Sequence, residues 1–145
     1  MSNLFLLLAI FIGGAAATVQ PPINARLAEK VGILEAATVS FLVGTLVLVL
    51  VSLSVGRGSF RGILQVEWWQ LTGGLFGAFF VTLTILAVPK LGTGTVMAAL
   101  IVAQLATGVV FDHFGLFGMR QIPFDLGRLA GVVLLMVGVA LIYRR

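Results

Sequence analysis

The chain has no cysteine, a single histidine and only five carboxylates. Without thiols there is no structural disulfide, no thiolate metal site and no thiol nucleophile. With His113 as the lone imidazole, no metal-ligating cluster can be assembled from spacing, and no nucleophile shares a site with a base. The sequence therefore reads as no enzyme, and it calls for no metal and no cofactor. Charge is scarce as well, at 10% of 145 residues, where a soluble domain carries roughly a quarter. So few charges cannot cover a water-facing surface. The formal net charge of +4 does not point to nucleic acid, because the nine basic residues are scattered at the ends of apolar runs with no basic stripe. They read as anchors at a membrane interface.

What the chain has in abundance is hydrocarbon. Hydrophobic residues make up 60% and the mean hydropathy is +1.18, with repeated apolar runs of about 18 residues, long enough to cross a hydrocarbon layer of about 30 Å. The fold class expected is an all-α membrane protein, a single domain over 1–145 with five transmembrane helices. They are read at about 4–30, interrupted by Pro21 and Pro22, then 35–55, 68–88, 95–111 and 126–143. Ala15, Ala16 and Ala17 after the first run resemble a signal-peptide cleavage site, yet no Lys or Arg precedes the run, so it is taken as a retained helix.

The breaks between runs carry turn chemistry. Gly56, Arg57, Gly58 and Ser59 stop the second helix, Trp68 and Trp69 open the third in the headgroup layer, and Pro89 to Gly92 form a tight link. Asp112 to Pro123 reads as an interfacial loop, after which Asp125 can cap the last helix and Arg128 snorkels near its start. Five spans put the termini on opposite sides. One side then holds Arg57, Arg61, Arg120 and Arg128, the other Arg26, Lys30, Lys90, Arg144 and Arg145. With the basic residues so evenly divided, the positive-inside rule selects no orientation, and dual topology is the expectation.

Polar residues within spans carry the functional signal, because each costs free energy in hydrocarbon. Gly13, Ala17, Gln20 and Asn24 fall on one face of the first helix. Pro21 and Pro22 free the carbonyls of Ala17 and Thr18; either they loosen backbone at depth, a transporter device, or the helix ends there. Gln104, Gly108 and Asp112 form one stripe on the fourth helix. Gln20, Asn24 and Gln104 are the candidate substrate-binding residues, and Asp112 and Glu35 the candidates for ion coupling. The plainer readings are an interhelical hydrogen bond for Gln104, a solvated pair for Asp112 and His113, and a helix N-terminal charge for Glu35. Small-residue pairs Gly73/Gly77 and Gly127/Gly131, the latter extended to Gly138, allow close helix approach, and the last helix is the expected dimer seam.

Taken together, the run Gln20 to Ala25 (QPPINA), Trp68-Trp69 with Gly73, Gly74 and Gly77, the link Val88 to Gly92 (VPKLG), Gln104, and Asp112 to Gly115 (DHFG) resemble the YdcZ-type family, the five-helix single-repeat branch of the drug/metabolite transporter (EamA-like) superfamily. The resemblance spans essentially the whole chain, with Ala103 in place of the glycine that often precedes the fourth-helix glutamine. It implies a multi-pass protein of the bacterial inner (cytoplasmic) membrane. It further implies half of a ten-helix inverted-repeat fold, completed by a homodimer or by a heterodimer with a homologous subunit. The first-helix glutamate of the related four-helix exporters has no counterpart before Glu29, so their coupling chemistry is not carried over. The expected function is a small secondary-transporter subunit moving a small polar metabolite or drug-like solute across the cytoplasmic membrane by alternating access, as an antiparallel dimer in the lipid bilayer. The alternative is a small dual-topology ion channel.

Overall fold

A computed structural model describes residues 3–143, so Arg144 and Arg145 of the charge tally lie outside the described residues. Five long helices follow in order: α1 (Asn3–Val31), α2 (Ile33–Val55), α3 (Gly73–Leu91), α4 (Thr93–Phe114) and α5 (Leu126–Tyr143). Short 3₁₀ turns stand at Phe60–Gln65, Trp68–Leu71 and Leu116–Gly118. All five helices, the third counted from Trp68, are long and apolar enough to cross a membrane.

The helices meet more abruptly than hydropathy indicates. A single residue, Gly32, separates α1 from α2, and Gly92 alone separates α3 from α4. Their φ values of 101° and 80° lie where a Cβ is disfavoured, which selects glycine at both positions. Pro89, Lys90 and Leu91 stay helical, at the cost of the one ladder hydrogen bond that the proline nitrogen cannot donate. The helix also continues through Pro21 and Pro22. Pro21, Asn24 and Ala25 are its buried residues, so the turn weakened by the two missing donors is also the turn held by packing.

Contacts gather the chain into two units, residues 1–90 and 91–145. In the first, Ala36 and Ala37 of α2 meet Val81 and Ile85 of α3, with Leu27, Ala28, Ile33 and Phe80 packed around them. Two successive alanines leave room for the larger Val81 and Ile85, which matters in lipid, where packing drives association in place of water exclusion. Gly77 has a comparable role, since a Cβ there would come within 3.2 Å of Cζ of Phe41. Gly73, its partner in the sequence pattern, has open space beside it. Residues 4–17 of α1 are exposed throughout, as expected of a lipid-facing surface.

In the second unit α4 packs against α5. Gly115, at φ 60°, caps α4 in the left-handed conformation, so the helix runs to Phe114 and takes in Asp112 and His113, which the sequence pattern assigns to a loop. The connection then folds back on that last turn. The Ile122 amide donates to the Asp112 carbonyl at 2.8 Å, and Gln121 Nε2 donates to the His113 carbonyl at 2.9 Å. Asp125 Oδ1 accepts from the Arg128 amide at 2.9 Å, which supplies the expected cap of α5.

Candidate functional site

Of the small-and-polar face of α1, Gln20 and Asn24 turn toward α2, while Gly13 and Ala17 are exposed. Asn24 is buried at 5% exposure and Gln20 is half-buried one turn before it. Both side-chain amides converge on one hydroxyl of α2: Gln20 Nε2 donates to Ser40 Oγ at 3.3 Å and Asn24 Nδ2 donates to the same oxygen at 3.1 Å. Ser40 went unmarked in the sequence because a serine in a membrane helix ordinarily bonds the carbonyl four residues back. The available signal was its place one turn beyond Ala36, on the face of α2 that packs.

The cluster borders a cavity of about 440 Å³, whose other walls include Ala16, Val19 and Val39. No ionisable side chain lines it. Each amide gives one N–H to Ser40 and keeps its carbonyl oxygen and a second N–H, while the serine hydroxyl keeps its hydrogen. The site thus offers donors and acceptors with no fixed charge.

Gln104 belongs to the second unit, where it is exposed on α4. It borders a groove of about 370 Å³ with Gly108, Asp112, Arg128 and Gly131, so the stripe read from the fourth-helix spacing does lie along one surface. Arg128 Nη1 donates to Asp112 Oδ2 at 3.1 Å, and its Nε lies 3.8 Å from Asp125 Oδ2. Asp112 therefore ties α4 to α5, a structural role apart from its candidacy for coupling. His113 is also engaged, its Nδ1 accepting from the Phe124 amide at 3.1 Å. Beside it lies an apolar cavity of about 420 Å³ lined in part by Val109, Phe114, Phe124 and Val132.

Glu35 is exposed in the first turn of α2, where the helix N-terminus favours a carboxylate. Its side chain sits against Gly32, where an added Cβ would collide with it. Gly131 and Gly138 have nothing within 4 Å of an added Cβ, whereas Gly127 has Asp125 Oδ1 at 3.0 Å. The small face of α5 is therefore open in the single chain. Among the described residues no cluster of histidine and carboxylate could hold a metal ion.

Comparison with known proteins adds to this geometry. A family described as "Putative inner membrane exporter, YdcZ" matches residues 4–141. The chain is 33% identical over 147 residues to the inner membrane protein YdcZ of Escherichia coli (strain K12), an alignment covering 99% of this chain and 98% of that protein. No solved structure matches. The matching description names a transport role and no reaction.

Proposed function

The chain belongs to the YdcZ family of multi-pass inner-membrane exporters, and from that premise we propose that two subunits, inserted antiparallel, move a small polar solute across the cytoplasmic membrane by alternating access. The observation that carries this reading is the convergence of Gln20 and Asn24 on Ser40 beside a cavity of about 440 Å³ in otherwise apolar helices. Polar groups at membrane depth are costly and mark solute pathways. An amide–hydroxyl cluster can exchange its hydrogen bonds for those of a solute without moving a charge into lipid. Export is the direction that the family description supports.

Gln104 supports a second subunit. It is exposed on a helix long and apolar enough to span, and among the described residues it has no hydrogen-bond partner. A mid-span amide facing lipid is unfavourable; facing a solute path or another subunit, it is not. The open small face at Gly131 and Gly138 gives such a subunit, identical or homologous, a place to approach. Evenly divided loop charge permits the inverted orientation.

The test is solute flux into proteoliposomes. Gln104→Leu is expected to lower flux about tenfold, in line with the loss of one recognition hydrogen bond; unchanged flux counts against Gln104. Single-channel currents from the purified protein would overturn alternating access, whose conformational steps take microseconds to milliseconds or longer. Orientation has its own measurement: a cysteine at either terminus is expected to be labelled from outside in both cases, and labelling at only one terminus removes the antiparallel pair.

A further inference from the structure

The connection between α2 and α3, residues 56–72, is long for a bundle and contains only two short 3₁₀ turns. Connections of this length are uncommon without a role of their own. It is nonetheless well ordered by local bonds. The Gly56 amide donates to the Ser52 carbonyl at 3.0 Å, and Ser59 Oγ accepts from the Arg61 amide at 3.2 Å. The Glu67 carboxylate accepts from the backbone of Gln70 in a reciprocal cap and from the indole N–H of Trp69. The one acidic side chain of the segment is thus engaged internally.

Its two cations are not. Arg57 and Arg61 are exposed, and among the described residues neither has a carboxylate partner. Interleaved with them are large apolar side chains left exposed: Phe60 is 66% exposed, Ile63 50%, Leu64 90% and Trp68 79%. A water-facing loop would not present such side chains together. Guanidinium groups beside aromatic and aliphatic side chains match a layer that is anionic at its surface and apolar just beneath.

We propose that residues 56–72 are a docking surface for anionic phospholipid headgroups, with Arg57 and Arg61 on the lipid phosphates and Phe60, Ile63, Leu64 and Trp68 in the acyl boundary. Charge complementarity selects this occupant over a protein partner: two unpaired cations face outward with no exposed free carboxylate in the segment to balance them. The planar guanidinium matches a phosphodiester with paired hydrogen bonds, which a zwitterionic headgroup offers less freely because its own ammonium competes. The inference holds whether the chain carries solute or not.

Both tryptophans of the chain, Trp68 and Trp69, lie in this segment, so their fluorescence reports on it alone. The full chain is reconstituted in phosphatidylcholine vesicles containing an equal, minor fraction of brominated phosphatidylglycerol or brominated phosphatidylcholine. Stronger quenching by the brominated phosphatidylglycerol is expected, and Arg57→Gln/Arg61→Gln is expected to lower that preference roughly 5- to 30-fold. The Arg57→Lys/Arg61→Lys variant keeps the charge but not the paired hydrogen bonds, and an intermediate preference is expected. Equal quenching of the unaltered chain by the two lipids overturns the proposal, as does stronger quenching by aqueous iodide than by either lipid. Inorganic phosphate at millimolar concentration is expected to leave the lipid preference intact; if it abolishes the preference, the arginines bind phosphate as such and the lipid assignment fails.

Discussion

Asn24→Leu abolishes solute transport, with an expected fall of roughly 100-fold in proteoliposome flux, while the chain still inserts and folds. Asn24 is the most buried member of the amide cluster at 5% exposure, and its Nδ2 is 3.1 Å from Ser40 Oγ. Leucine removes a donor and an acceptor, each worth about 1–3 kcal/mol when a buried partner is left unmade, and its branched end enters the space a solute needs. Insertion is unharmed, because leucine is better tolerated in hydrocarbon than asparagine. Ser40→Ala is the graded comparison. It removes the shared acceptor but leaves both amides free to meet solute, so a smaller loss of about 3- to 10-fold is expected. Flux normalised to reconstituted protein, with circular dichroism as the folding control, separates the outcomes. Near-normal transport by Asn24→Leu would remove the cluster from the solute path.

Ala36→Leu is expected to lower stability by overfilling the core of the first unit. Ala36 is fully buried at 0% exposure and faces Val81 and Ile85, the latter at 2%. Extra carbons at that point force α2 away from its neighbours, and overpacking of this kind costs about 1–3 kcal/mol, or more where both sides are helix backbone. Ile85→Ala errs in the opposite direction and leaves a cavity at about 2–5 kcal/mol. The double variant Ala36→Leu/Ile85→Ala is the discriminating experiment, because the added and removed volumes lie side by side. Thermal unfolding in detergent is expected to show both single variants melting well below the original and the double variant recovering part of the loss. Strict additivity would mean that the two side chains do not share a core.

The elements were legible because hydropathy reports directly on lipid-length helices. Helix ends were less so. Asp112 and His113 look like loop residues by composition, but the left-handed cap at Gly115 decides where α4 stops, and no period announces a cap. Gln20 and Asn24 could be placed on one face because four-residue spacing is local. Their common partner on α2 could not, since Ser40 lies 16 residues from Asn24 and only packing unites them. Arg128 illustrates the same limit. Alone at the start of an apolar run it reads as a snorkelling side chain, whereas its guanidinium reaches a carboxylate 16 residues away.

The two ends of α2 differ in kind. At one, Gly32 reverses the chain in a single residue; at the other, residues 56–72 spread into two 3₁₀ turns. The first end has no loop for a protease, an antibody or a soluble regulator to grip, only the charged side chains that flank the turn, Arg26, Glu29, Lys30 and Glu35. Any such agent must approach this helix pair from its other end. In an antiparallel assembly, each aqueous compartment would then meet the loop end of one α1–α2 pair and the tight turn of the other.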